Sequence, residues 1–304
     1  MNLRDLEYVT AIDRYRNFGK AAEACHVSQP ALSAQVKKLE ERLGVELFAR
    51  TNNGVLTTDA GVRIVATAKD VLHSAQRITD TAAEYHDPFA APLRIGIIPT
   101  LAPFIVPYVS KSIKVLSDQL ATIYREQPTQ TLLAELENRM IDVALVSGPI
   151  ELSGYKFTPI FRERLMLVVS KTHRLANTDR VTASEIPTEE LLLLTEEHCL
   201  RAETLSLCQG KNIGIDVPHQ ILANNFLTMS HYLAEGVGCS LMPMLARPFL
   251  EQANPNISFV EIEDEAYGRD IGFLSREGCP REHILMALCD QIRTSPPGNV
   301  TSLA

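Results

Sequence analysis

The sequence predicts a mainly α-helical N-terminal segment that continues into a long linker helix, followed by an α/β body. Three observations carry this prediction. Apolar residues recur at helical spacing over residues 1–43, residues 58–85 form an uninterrupted helical pattern, and the remainder alternates short apolar runs with helical patterns. A chain of 304 residues is long enough for two or three domains, each with its own core.

Composition narrows the class of protein. The net charge of −8 at first disfavours nucleic-acid binding, but residues 1–58 hold eight Lys or Arg against seven Asp or Glu, so the acidity lies in the remaining 246 residues. No apolar run approaches ~18 residues and the N-terminus does not read as a signal peptide, so we expect no membrane partner. Six cysteines without a CxxC pair indicate reduced thiols and a cytoplasmic location. With no GxGxxG, Walker A or HExxH motif, we expect neither a cofactor nor a metal.

Three short helices open the chain. Apolar residues at helical spacing predict the first of them: Leu3, Leu6, Val9 and Ile12. FGKAAEAC, at residues 18–25, predicts the second. The third begins after Ser28, a good N-cap, has Pro30 in its first turn and stops at Gly44.

The third helix has the pattern of a DNA-reading helix. Its apolar residues form one stripe: Leu32, Val36, Leu39 and Leu43. The opposite face carries small residues and lysines, which suit thymine methyl groups, base edges and phosphates in the major groove. Asn53-Gly54 in VELFARTNNGVLTT predicts a type I′ hairpin with Arg50 at its base. Three helices and a hairpin make a winged helix-turn-helix.

We therefore predict that residues 1–58 bind double-stranded DNA. A small helical packing domain would explain any one of these features, but not their order, caps, outward face and wing together. The expected DNA contacts are Arg4, Ser28, Gln29, Pro30, Ser33, Ala34, Lys37 and Arg50.

Residues 59–87 predict a dimerising linker helix. Apolar residues step by four and three along a heptad seam: Ile64, Ala68, Val71, Ala75, Ile78 and Ala82. A single helix packed on its own domain is the alternative reading. If the seam is a contact between two chains, the protein is a homo-oligomer, either a dimer or a tetramer.

Residues 88–304 predict an α/β body with mainly parallel sheets, because apolar runs alternate with helical patterns. The predicted strands are 93–99, 120–126, 141–147, 165–170, 190–195, 219–224, 239–243, 257–263 and 270–275. Helices are expected near 103–117 and 130–139, with a last amphipathic helix around Leu288.

FGKAAEACHVSQPALSAQVKKLEERLGVELFAR resembles the N-terminal domain of LysR-type transcriptional regulators over residues 1–65. The resemblance implies a dimeric regulator, with RNA polymerase among its partners and a sensing domain behind the DNA reader. It also implies a two-lobed, periplasmic-binding-protein-like regulatory domain. Lobe I would cover about 92–162 and 268–304, and lobe II about 163–267.

Cys199 differs from the other cysteines in its neighbours. It follows His198, precedes Arg201 by two residues and lies near the start of a helical pattern, and both cations and a helix N-terminus lower a thiol pKa. Cys208 lies nine residues on, which in a helix is a Cα separation of ~13 Å. A disulfide needs roughly 4.4–6.8 Å, so this pair could join only if the segment unwound.

Over the whole chain the sequence also resembles one LysR-type branch, the OxyR peroxide sensors, through HCLR with a second cysteine, IGIIPT and the late IGF strand. The resemblance implies that Cys199 is the peroxidatic thiol and Cys208 the resolving thiol that forms a disulfide with it. Thr100 and Thr129 would then position peroxide, His198 would order water, and Arg269 would support the thiolate.

Each of these roles has a plainer alternative. The two threonines, Thr100 and Thr129, would equally serve as helix caps, and His198 would equally satisfy a backbone carbonyl. Two residues also depart from the OxyR pattern. Glu197 stands where relatives often have Gly, and Ala202 where they often have an acid, so neither peroxide sensitivity nor a proton relay through residue 202 transfers.

The expected function is a hydrogen-peroxide-sensing regulator, not an enzyme, whose oxidation changes promoter binding and activates antioxidant genes. A metabolite-responsive LysR-type regulator, with a small ligand between the lobes, is the alternative. A thiol peroxidase with a DNA-binding appendage is a third reading, which would need a reductant docking site.

Overall fold

The computed structural model describes residues 1–51, 54–87, 89, 91–208, 223–298 and 300–303, with backbone alone at 50, 51, 54, 73, 77, 80, 81 and 84–86. These residues form two compact units, Met1–His86 and Asp87–Ala304.

The N-terminal unit is three helices, a hairpin and a long helix, as predicted. Its elements are α1 (Leu3–Tyr15), α2 (Phe18–Ala24), α3 (Gln29–Leu43), β1 (Phe48–Thr51), β2 (Gly54–Thr57) and α4 (Asp59–His86). The Ser28 hydroxyl accepts a hydrogen bond from the Ala31 N–H at 3.4 Å, and Gly44 ends α3 with φ of 71°. Both predicted helix ends are thus confirmed.

The hairpin forms, but its turn differs from the prediction. β1 and β2 are antiparallel, and Gly54 pairs with Thr51. Gly54 therefore belongs to the second strand, since pairing extends one residue further than the Asn-Gly signal suggested. Residues 52 and 53, and with them the predicted type I′ turn, lie outside the described residues.

A single apolar core holds the helices of this unit together. Its fully buried members include Val9, Ile12, Leu32 and Leu47. Leu43 was expected in the same stripe but is 39% exposed, because it is the last residue of α3.

Along α4, apolar residues change from buried to exposed. Val65 and Ala68 join the core of the N-terminal unit. Further along the same seam Val71 is 40% exposed and Ile78 is 75% exposed. Within this unit, therefore, only the first half of the seam is covered.

The second unit contains six helices and nine strands within the described residues. They are β3 (Leu93–Ile97), α5 (Ala102–Leu116), β4 (Thr122–Glu126), α6 (Thr129–Glu137), β5 (Val143–Gly148), β6 (Tyr155–Ser170), β7 (Arg180–Val181), α7 (Cys199–Leu207), α8 (Phe226–Ala234), β8 (Ser240–Pro243), α9 (Arg247–Ala253), β9 (Ile257–Ile262), β10 (Gly268–Arg276), α10 (Glu282–Thr294) and β11 (Thr301–Ser302).

The long strand β6 belongs to both lobes. Its first part pairs with β10, in a sheet of order β4-β3-β5-β10-β6, and its last part, from Leu165, pairs with β8 and β9. The prediction of mainly parallel sheets is wrong, because β6 is antiparallel to β8, β9, β10 and β11. Parallel pairing is found for β3 with β4 and β5 and for β7 with β9.

One predicted strand, at residues 190–195, is not a strand. A short 3-10 helix covers Thr188–Glu190, and single bridges then join Leu191 to Cys239 and Leu194 to Ala223. Of the strand predicted at 219–224, residues 219–222 lie outside the described residues. Across the part of the chain that is described, no helix has the length and apolarity needed to cross a membrane.

Candidate functional site

Cys199 is the first residue of α7. The preceding His198 is the N-cap residue, with an extended backbone and no side-chain capping bond. The thiol is half-buried and packs against the main core of the second unit. The sequence prediction that Cys199 lies at the positive end of a helix is confirmed.

A buried ion pair lies beside the thiol. Arg269, on β10, donates from Nε to Glu163 Oε2 at 2.9 Å, and the two side chains are 1% and 0% exposed. Its Nη1 and Nη2 donate to the Thr100 hydroxyl at 2.9 Å and the Thr100 carbonyl at 3.0 Å. Glu163 also accepts from the Leu245 N–H at 3.1 Å. This network satisfies a charge that would otherwise be costly to bury.

Neither predicted threonine caps a helix. The N-cap residues of α5 and α6 are Leu101 and Pro128, and neither makes a side-chain capping bond. Thr100 is buried against Arg269 instead. The Thr129 hydroxyl is buried with no well-formed hydrogen bond among the described residues, and it is close enough to Cys199 to lower the thiol pKa.

The pKa of the Cys199 thiol lies above its ordinary value. Burial raises it most and the Glu203 carboxylate raises it further, while Arg269, the Thr129 hydroxyl and the Leu200 N–H lower it. A cation, Arg269, and the Leu200 N–H at the start of the helix do lower this pKa, as the sequence indicated, but they do not decide its net direction. Burial and the Glu203 carboxylate outweigh these two groups.

His198 and Arg201 differ in their surroundings. His198 is 5% exposed, and both ring nitrogens are buried without a hydrogen-bond partner in the described part of the chain, so it does not satisfy a backbone carbonyl. Arg201 donates to the Leu194 carbonyl at 3.0 Å. Arg201 anchors α7 to the segment before it.

Cys208 lies at the other end of α7. It is the C-cap residue, 1% exposed, in a separate apolar cluster with Cys239 and Tyr267. Tyr267 donates its hydroxyl to the Leu207 carbonyl at 3.2 Å. Both Cys199 and Cys208 are free thiols. Because the segment between them is helical, the predicted separation of ~13 Å holds and a disulfide requires α7 to unwind.

Two carboxylates of this site escaped the sequence prediction. Glu203 lies four residues after Cys199, and this helical spacing places both side chains on one face of α7. The spacing alone could have predicted that the carboxylate lies near the thiol. Glu163 gave no local signal, because its partner Arg269 is 106 residues away and faces it across paired strands. The described residues contain no group of three or more His, Cys, Asp or Glu that could hold a metal ion.

The predicted DNA contacts lie on one helix and its surroundings. Most are exposed, namely Arg4, Ser28, Gln29, Pro30, Ala34 and Lys37, while Ser33 is half-buried. For Arg50 the backbone pairs with Val55, and the side chain lies outside what the structure describes. Glu40 accepts from the Leu47 N–H at 2.7 Å and thereby ties α3 to the wing.

Comparison with protein families decides the classification. Residues 3–62 match the model described as bacterial regulatory helix-turn-helix protein, lysR family, and residues 86–296 match the LysR substrate binding domain. The chain belongs to the LysR family of transcriptional regulators. Members of this family bind DNA through the helix-turn-helix domain and act as regulators, not as enzymes.

Two relatives match along almost the whole chain. The hydrogen peroxide-inducible genes activator of Pectobacterium carotovorum is 33% identical over the full length of both chains. The DNA-binding transcriptional dual regulator OxyR of Escherichia coli K12 is 33% identical, covering 98% of this chain and 97% of the relative.

Solved structures agree with this grouping. A full-length OxyR variant from Pseudomonas aeruginosa is 29% identical with a TM-score of 0.64, covering 100% of this chain and 98% of that one. A Corynebacterium glutamicum OxyR mutant solved with hydrogen peroxide bound is 29% identical with a TM-score of 0.64, covering 96% and 93%.

Proposed function

We propose that this chain is a hydrogen-peroxide-sensing transcriptional regulator in which Cys199 is the thiol that peroxide oxidises. The observation that carries the proposal is the half-buried Cys199 thiol at the start of α7, with the buried Thr129 hydroxyl beside it, which makes no well-formed hydrogen bond among the described residues. Buried polar atoms are rarely left unpaired, and peroxide can both donate and accept hydrogen bonds. The Thr129 hydroxyl therefore has hydrogen-bonding capacity to offer to peroxide.

The proposed chemistry has two steps. The Cys199 sulfur, as thiolate, attacks one peroxide oxygen, the O–O bond breaks, and the leaving hydroxide takes up the thiol proton as water. Cys199 is left as a sulfenic acid. The Cys208 thiol then attacks the Cys199 sulfur, a second water leaves, and a disulfide joins the two residues. One peroxide is reduced and two thiols are oxidised.

The neighbouring residues support these steps in different ways. Thr129 holds peroxide near the thiol, and Thr100 fixes the guanidinium of Arg269 beside it. His198 orders water at the start of α7. Arg201 holds the helix to Leu194 until oxidation unwinds it.

The disulfide works as a conformational switch, because the bond cannot form while α7 is helical. Unwinding α7 removes Cys208 from its apolar cluster and so changes the packing of the second lobe. The change alters how the helix-turn-helix heads of the oligomer engage promoter DNA and RNA polymerase, and antioxidant genes are activated. The names of the relatives, and the peroxide bound in a similar structure, support peroxide as the signal.

The test is promoter binding by Cys199→Ser with and without peroxide. We expect the wild type to change its binding after mild peroxide and the variant not to change. Cys279→Ser is the matched control, since Cys279 is in the same unit but has no place in the proposed chemistry. Mass spectrometry of Cys199 and Cys208 accompanies each measurement.

A Cys199→Ser variant that still responds to peroxide would refute the thiol switch. Promoter binding that ignores peroxide in the wild type, but responds to a small metabolite, would favour the metabolite-sensing alternative.

A further inference from the structure

We propose that the Glu203 carboxylate restrains Cys199, making its thiol slower to react with electrophiles and oxidants. Glu203 does not touch the reacting atoms, so it is a positioning residue that acts through charge. In a peroxide sensor it would set the concentration at which the protein responds. Only that last consequence rests on the proposed function.

Geometry places the carboxylate beside the thiol. Cys199 and Glu203 are four residues apart in α7, so their side chains are neighbours on one face. Glu203 Oε2 is buried and has no hydrogen-bond partner among the described residues. On this oxygen, therefore, no bonded donor among the described residues offsets the negative charge.

The cation on this side of the thiol is already paired. Every nitrogen of the Arg269 guanidinium donates to Glu163 or Thr100. Glu163 from β6 and Glu203 from α7 both act on this guanidinium. A thiolate at Cys199 would be a third negative group beside one positive charge, which disfavours ionisation in a buried site.

The direction of the pKa shifts agrees with this count of charges. Burial and then Glu203 raise the pKa of Cys199, against the lowering effects of Arg269, Thr129 and the Leu200 N–H. Glu203 likewise raises the pKa of Glu163, after the larger effect of burial. The same carboxylate thus opposes negative charge on both of its acidic neighbours.

Glu203→Gln removes the charge and keeps the shape. A lower pKa of Cys199 would raise the thiolate fraction at neutral pH. Because nucleophilicity falls with pKa, the net gain in reaction rate at neutral pH would be about threefold.

The experiment measures alkylation of Cys199 by iodoacetamide as a function of pH, followed by mass spectrometry of the full chain. We expect Glu203→Gln to move the midpoint of the curve of alkylation rate against pH to a lower pH, and to speed alkylation at neutral pH. Glu203→Asp, which keeps the charge, should stay close to the wild type. Glu196→Gln is the matched control, because it removes an exposed carboxylate near the same thiol in sequence.

An unchanged midpoint in Glu203→Gln overturns the proposal, as does a slower reaction or an equal shift in Glu203→Asp. If the Gln variant does not fold, Glu203→Ser, which also removes the charge, is measured in its place, and an unchanged alkylation midpoint in that variant overturns the proposal equally. Alkylation does not involve peroxide, so this result stands even if the proposed peroxide function fails. Measuring the oxidation rate of Cys199 by peroxide in the same variants then tests whether Glu203 sets the peroxide concentration at which the protein responds.

Discussion

At the scale of single residues, the site differs from a simple activated cysteine. Reactive cysteines are often thiolates stabilised by nearby cations, whereas Cys199 is raised in pKa by burial and by Glu203. Its cation, Arg269, is occupied by Glu163 and Thr100. Selective help at the moment of reaction must then come from groups that can bond to the incoming oxidant.

Thr129 is the described residue best placed to give that help, and Thr129→Val tests it. The Thr129 hydroxyl lowers the pKa of Cys199. Valine keeps the shape of the side chain and removes that hydroxyl. We expect oxidation of Cys199 by peroxide to slow by about threefold to tenfold, from the loss of one hydrogen bond of ordinary strength. Stopped-flow kinetics of sulfenic acid formation measures the rate.

Thr131→Val is the matched control for this prediction, because Thr131 is exposed on the same helix α6. Equal rates in wild type and Thr129→Val would remove the hydroxyl from the mechanism.

Local features of the sequence predicted more of this site than long-range ones. Ser28, Gly44 and the start of α7 at Cys199 followed from residues within one or two turns. The role of Glu163 depends on pairing with Arg269 across β6 and β10, and strand pairing at that distance leaves no periodic signal. The prediction of mainly parallel sheets was wrong for the same reason, since the direction in which distant strands pair leaves no local signal.

At the scale of elements, α7 connects the two thiols and is held at both ends. Arg201 bonds to Leu194 near its start, and Tyr267 bonds to the Leu207 carbonyl near its end. Helix ends have unpaired carbonyls, so a side-chain donor there stabilises the last turn. These two bonds oppose the unwinding that a disulfide needs.

Tyr267→Phe removes the bond at the Cys208 end of α7 and leaves the aromatic ring in its apolar cluster. We expect the disulfide to form up to about threefold faster after Cys199 is oxidised, because less free energy is needed to release the helix end. The first step, sulfenic acid formation, should keep its rate. Trapping the sulfenic acid while following the disulfide by mass spectrometry separates the two steps.

Tyr155→Phe serves as the control, since Tyr155 lies on β6 outside the cluster that contains Cys208. A disulfide step slowed or unchanged by Tyr267→Phe would show that the end of α7 does not limit the switch.

At the scale of the molecule, the thiol site lies where the two lobes of the second unit share a strand. Glu163 is on β6 just before that strand leaves β10 for β8 and β9, and Arg269 pairs with it in register. An unwound α7 would therefore disturb a place common to both lobes. For such a change to reach DNA through several heads at once, copies of the chain must associate.

The exposed half of the α4 seam is where we expect that association, and Ile78→Asp tests it. Ile78 is 75% exposed, and Val71 on the same seam is 40% exposed. Placing a charge in a contact that buries apolar side chains should weaken self-association at least about tenfold, and promoter binding with it. Gln76→Asp puts the same charge on an exposed residue of the opposite face of α4 and should change neither. Sedimentation at several protein concentrations measures association, and fluorescence anisotropy measures promoter binding. If Ile78→Asp associates and binds like the wild type, α4 is not the contact, and the seam serves its own unit alone.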